Sequence, residues 1–141
     1  MEPRISLITL GVRDLQRAVA FYRDGLRFPM SSASGDEVAF FRTGGVVLAL
    51  WSRELLATDA RISPTGSGFS GIALAHNVRN RYEVDTVLAQ AAAAGGAILR
   101  PAQDTDYGGY AGYFADPEGF LWEVAWNPGF PMARDGSLEI P

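Results

Sequence analysis

Residues 114–128, FADPEGFLWEVAWNP, hold one carboxylate, Glu123, inside a run of large apolar side chains. Asp116-Pro117-Glu118-Gly119 has the residue order of a type I turn, with Asp first, Pro second and Gly fourth. The aromatic and branched run from Phe120 to Trp126 then predicts a strand. Alternation sends Leu121, Glu123 and Ala125 to one face, and Phe120, Trp122, Val124 and Trp126 to the other. Glu123 therefore stands on the less bulky face of a hydrophobic strand, and such a face can line a cavity.

Outward from this hairpin the chain divides into two similar halves. The first opens with a strand, ISLITLGV (residues 5–12), and a helix that Asp14 caps and Gly25 can end. Leu15, Ala18, Val19, Tyr22 and Leu26 recur there at helical spacing. Short strands near Phe28–Ser32 and Glu37–Arg42, a Thr43-Gly44-Gly45 turn and the strand VVLALW (46–51) follow. The second half opens with FSGIALAH (69–76). Its helix is signalled by Asn80 with Glu83 three residues on, and by Val84, Val87, Leu88 and Ala91. Gly95-Gly96 closes that helix, and strands are expected near Ala97–Arg100, at Tyr110–Ala115 and in the last run. Each half reads β-α-β-β-β. Residues 52–68 read as a linker with at most one helical turn at its start, and residues 127–141 as a tail.

Composition narrows the partners. The 141 residues suffice for one domain with a real core, here 1–141 with modules at about 5–51 and 69–126. There is no cysteine, so neither disulfides nor thiolate chemistry is expected. The net charge is −4 and the 12 basic residues are scattered arginines, which argues against nucleic acid. The apolar runs are too short for a bilayer span, and MEPRISLITL lacks the layout of a signal peptide, so a cytoplasmic protein is expected.

The repeat, together with LGVRDLQRAVAFYRDGLRF, AAAAGGAILRPAQ and YFADPEGFLWEVAWNPGF in this order, resembles the glyoxalase/bleomycin resistance/dioxygenase superfamily, the vicinal oxygen chelate proteins. The likeness covers about residues 5–131. It implies an α+β fold in which two βαβββ modules form an open half-barrel around a pocket (the dihydroxybiphenyl dioxygenase fold), with dimers frequent. Enzymes of that family hold one divalent metal through four side chains, on the first and last strands of each module. By the resemblance, Glu123 takes the fourth ligand place, while the other three fall on Leu7, Ala49 and Gly71, which carry no donor atoms. No metal and no cofactor are expected on that ground.

The inward face then collects Leu7, Thr9, Ala49, Trp51, Gly71, Ala73, Leu121 and Glu123, apolar with one acid. Two readings of Glu123 stay open: a ligand anchor or base, for which a raised pKa would suit, and a strand residue that is wet or bonded to a neighbour. Trp51 is either a packing residue or a stacking surface for a ligand. His76 reads as a strand-end residue rather than a ligand, and Asp104 and Asp106 as acids of a solvated turn. The arginines read as surface charge, with Arg53 a candidate for a pocket rim. A metal-free binder that sequesters a small organic ligand, assembled as a homodimer, is the expected function. The alternative is an enzyme of the superfamily, a lyase, isomerase or dioxygenase, with a non-standard metal site or Glu123 as base. Whether the chain is an enzyme stays open at this point.

Overall fold

The computed structural model describes residues 6–61, 63–70 and 72–138. Ile5 and Gly71, in the expected opening strands, and Ile140 of the tail lie outside them. The fold is α+β, and the chain divides into two compact units, Met1–Ser70 and Gly71–Pro141.

In the first unit, strand β1 (Leu7–Val12) runs parallel to β3 (Val47–Ser52), and β2 (Val38–Arg42) runs antiparallel to β3, giving the order β1-β3-β2. Alternation sends Leu10, Val12, Ala39, Phe41, Leu48 and Leu50 to one face, and all of them are buried. Helix α1 (Leu15–Val19) covers that face, its N-terminus capped by Asp14, which accepts a bond from the Arg17 amide at 2.9 Å. The helix then widens into a π-helical turn, Ala20–Gly25, where the Leu26 amide reaches the Phe21 carbonyl at 2.9 Å. The adjacent Phe21 and Tyr22 are both buried there, and Tyr22 meets Phe41 at 6.1 Å between ring centroids.

Two expectations need correction in this unit. The strand expected near Phe28–Ser32 is reduced to one bridge, Met30 with Phe41. Pro29 has no amide to offer a ladder, and Arg27 before it sits at φ 65°, which turns the chain out of extended geometry. The expected linker contains a full two-turn helix, α2 (Arg53–Ala60). Ser52 caps it by accepting from the Leu55 amide, and Arg61 ends it in the left-handed conformation. Leu56 and Arg53 of α2 pack against Gly11, leaving a Cβ at that position only 3.2–3.3 Å from them.

The second unit carries four strands in the order β4-β7-β6-β5: β4 (Ala73–Asn77), β5 (Ala97–Asp104), β6 (Tyr110–Ala115) and β7 (Leu121–Trp126). Helix α3 (Arg81–Ala93) starts at the foreseen cap: the Asn80 side chain accepts from the Glu83 amide at 3.0 Å, and Glu83 accepts from the Arg79 amide at 2.9 Å. The helix covers the face that bears Phe114, Trp122 and Val124, all buried, with the Phe114 and Trp122 rings stacked across the hairpin at 6.0 Å. Gly112 lies under the helix. A Cβ there would stand 2.6 Å from Leu88 Cδ1 and 3.0 Å from the Arg100 carbonyl oxygen and the Ala102 nitrogen, so this close approach requires glycine.

The hairpin between β6 and β7 turns at Asp116–Gly119, as the residue order predicts. The Gly119 amide donates to the Asp116 carbonyl at 2.9 Å, and Gly119 takes φ 89°. Strand β5 runs on to Asp104, beyond the expected Ala97–Arg100, with Pro101 inside it. An edge strand tolerates a proline because one side of its backbone is unpaired. The tail is pinned more firmly than its proline content suggests. Met132 bridges Leu138, and the Arg79 guanidinium donates to the Met132 and Ala133 carbonyls at 3.2 and 2.8 Å.

Candidate functional site

The face of the second sheet opposite α3 carries a row of four residues in direct register across four strands: Ala75, Glu123, Tyr113 and Arg100. Tyr113 donates its hydroxyl to Glu123 Oε1 at 3.0 Å. The Arg100 guanidinium carbon lies 4.9 Å from the centre of the Tyr113 ring. Glu123, Tyr113 and Arg100 are all partly buried. Burial first, and then the hydrogen bond to Glu123, push the Tyr113 phenol above its ordinary pKa, with Arg100 opposing, so the phenol is a hydrogen-bond donor throughout the physiological range. Small side chains flank the row, with Ala111 and Ala125 buried on one side and Ala115 and Leu121 half-buried on the other. The arrangement can hold a polar ligand group against a carboxylate beside the accessible side chains of Ala75, Ala115 and Leu121.

Arg100 reaches this row through two irregularities in β5. Ile98 stands opposite Phe114, Arg100 opposite Tyr113 and Gln103 opposite Ala111, so β5 spends one residue more than β6 in each interval. Such bulges re-aim side chains. Without the first of them, Leu99 would stand beside Tyr113. Sequence reasoning missed both Tyr113 and Arg100. Tyr113 could have been found by counting back from the Asp116–Gly119 turn, since a hairpin that pairs Ala115 with Leu121 pairs Tyr113 with Glu123. No local signal marks the bulges.

In the first unit, Leu7, Thr9, Ala49 and Trp51 share one sheet face. Thr9 stands opposite Ala49, and Gly11 opposite Trp51. Ala49 is buried, Thr9 and Trp51 are half-buried, and Leu7 is exposed. The helix caps and strand registers also revise one correspondence between the halves. Leu7 lies seven residues before the cap Asp14, and Ala73 lies seven before the cap Asn80. Thr9 pairs with Ala49 as Ala75 pairs with Glu123. The counterpart of Leu7 is therefore Ala73, not Gly71. The donor count is unchanged, since the four places now hold Leu7, Ala49, Ala73 and Glu123, with one oxygen-bearing side chain among them. That set does not fit a divalent metal, which needs three or four protein ligands.

The remaining candidates find structural partners. His76 stands opposite Val124 on the helix-bearing face. Surrounding atoms desolvate its ring enough to lower its pKa, against the pull of Glu83, although the residue as a whole stays exposed. Asp104 pairs with Arg81 at 2.6 Å, and the turn after it is closed by the Thr105 hydroxyl, which accepts from the Gly109 amide at 2.9 Å. The Arg53 Nε donates to the Pro64 carbonyl at 2.7 Å and ties α2 to the segment that follows. A recess of about 240 Å³ between Val78, Arg79, Trp126 and Met132 is bounded by the tail that Arg79 holds.

A family model described as the Glyoxalase/Bleomycin resistance protein/Dioxygenase superfamily matches residues 4–124. The structure is similar to that of a glyoxalase-related enzyme from Fulvimarina pelagi, at 39% sequence identity and a TM-score of 0.88, covering 98% of each chain. It is also similar to a glyoxalase/bleomycin resistance protein/dioxygenase from Nocardioides, at 27% identity and a TM-score of 0.75, covering 99% of this chain and 91% of that one. A lactoylglutathione lyase from Agrobacterium tumefaciens shares the fold at 24% identity and a TM-score of 0.69, covering 89% of this chain and 95% of that one. No curated protein matches the sequence.

Proposed function

The chain belongs to the glyoxalase/bleomycin resistance protein/dioxygenase superfamily, and from that premise we propose that it binds and sequesters a small organic molecule without a metal, using Glu123 as the polar anchor. The observation that carries this reading is the Glu123 carboxylate itself. It is half-buried, one oxygen is held by Tyr113, and among the described residues the other has no protein donor. A carboxylate fixed in this way on a floor of small apolar side chains favours a ligand bearing a cation or a strong donor. Leu121 beside Glu123 is a further proposed ligand contact, and Trp51, Thr9, Leu7 and Ala49 on the sheet face of the first unit are proposed as ligand contacts of that unit.

The test compares benzylamine with its neutral isostere, benzyl alcohol, by ligand-observed NMR on the wild type and on Glu123→Gln. Benzylamine should lose about tenfold to hundredfold in affinity on substitution, the worth of a charge-assisted hydrogen bond, while the alcohol changes little. Equal binding in all four combinations would reduce Glu123 to a solvated strand residue.

A second reading, an enzyme with Glu123 as general base, draws support from the description of the 39%-identical relative as an enzyme. A natural ligand recovered unchanged after long incubation speaks for sequestration, and a converted one for catalysis. We further propose a cytoplasmic homodimer. Exposed Ile72, which leads into the edge strand β4, supports the assembly, because burying a sheet edge and its apolar neighbours is a common reason for twofold pairing. Light scattering at micromolar concentration should give about twice the 15.2 kDa chain mass, and a monomer there would rule the dimer out.

A further inference from the structure

We propose that Arg100 is a second anchor at the Glu123 site, and that the ligand class is amphoteric, carrying a carboxylate or other anion in addition to a cationic or donor group. This rests on the reading of Glu123 as a ligand anchor and narrows it. Three observations point to Arg100. It is partly buried, yet among the described residues its guanidinium meets the Tyr113 ring face and no carboxylate. The planar fork of an arginine matches carboxylate and phosphate oxygens, and a partly buried arginine with no acid beside it is free to take them from a ligand. The bulge at Leu99 also places a cation where regular alternation would put an apolar side chain beside Tyr113.

The register of the row gives the ligand a polarity. Arg100 on β5 and Glu123 on β7 are separated by the one intervening strand β6, so their backbones lie about 10 Å apart, twice the usual strand spacing. Tyr113 stands between them. It donates to the carboxylate with its hydroxyl and supports the guanidinium with its ring, which keeps the two opposite charges from collapsing onto each other. An elongated aromatic molecule with a cation at one end and an anion at the other can lie along the row. Its cation meets Glu123, its ring lies against Tyr113 with Ala115 and Leu121 beside it, and its anion meets Arg100.

The experiment uses benzylamine, benzoate and 4-(aminomethyl)benzoate, titrated by ligand-observed NMR into wild type, Arg100→Gln, Arg100→Lys and Glu123→Gln, with thermal melts to establish that each variant is folded. The amphoteric probe should bind wild type more tightly than either single-charge probe. Arg100→Gln should weaken benzoate and the amphoteric probe about tenfold and leave benzylamine within about twofold. Arg100→Lys, which keeps the charge but not the fork, should retain part of the benzoate affinity. Benzoate that fails to bind, or binds as well to Arg100→Gln, overturns the anion anchor while benzylamine still reports on Glu123. Benzylamine that ignores Glu123→Gln overturns the underlying reading, and the amphoteric ligand with it.

Discussion

Asp116→Ala is expected to destabilise the protein by about 3 kcal/mol or more, a large share of the stability of a domain this size. Asp116 is 4% exposed, and its Oδ1 accepts from the Glu118 amide at 2.9 Å and from the Phe120 amide at 2.8 Å. Alanine leaves both donors without that acceptor inside a tight turn, and hydrogen bonds to a charged acceptor contribute about 1.5–3 kcal/mol each. The Asp116 backbone bonds, its carbonyl to the Gly119 amide and its amide to the Phe120 carbonyl, survive in principle, so the hairpin loosens rather than disappears. Asp116→Asn keeps an acceptor oxygen and should recover much of the loss. Urea unfolding of the three proteins decides the matter. A cost below about 1 kcal/mol for the alanine variant would mean that the carboxylate does not hold the turn. Because the turn sets the register that brings Tyr113 to Glu123, the alanine variant should also lose affinity for benzylamine.

The second large effect contrasts two neighbours in one strand. Phe114→Ala should cost about 3–5 kcal/mol, the usual range for emptying a buried aromatic site. Phe114 is 1% exposed and stacks on Trp122 under α3, so its loss leaves a cavity that Trp122, paired with it across the hairpin, cannot easily fill. Tyr113→Phe, one residue earlier and on the opposite face, removes only the hydroxyl bonded to Glu123. It should cost about 0.5–1.5 kcal/mol of stability. Its main consequence should be functional, since Glu123 loses the donor that orients it. Denaturation and benzylamine titration of both variants separate the roles. If Tyr113→Phe proved as destabilising as Phe114→Ala, the row would be a core element rather than a binding surface.

The local features of this fold were legible in the residues. Asp14, and Asn80 with Glu83, cap their helices because short polar side chains answer the free amides of a first turn, a matter of three or four consecutive residues. The Asp-Pro-Glu-Gly order places a turn, and simple alternation places Glu123 away from Trp122 and Val124. The Ser52 cap of α2 is equally local, and composition, which marks residues 52–68 as a linker, conceals only that the helix runs beyond its first turn. The donor-poor character of the four family ligand places also follows from residue types alone, and replacing Gly71 by Ala73 leaves it intact.

What only the tertiary structure decided is who stands beside Glu123. The pairing of β6 with β7 brings in Tyr113, and the first of the two extra residues of β5 brings in Arg100 in place of Leu99. Those extra residues are accommodated where Gly112 lets the β5 backbone and Leu88 of α3 approach closely, contacts between segments about ten and twenty residues apart in sequence. A period-two pattern has no means of recording a bulge, because the inserted residue reverses the alternation without changing which residue types are present. The acid of the site can therefore be read from the chain, whereas its phenol and its cation are placed by strand register and by close packing against a helix.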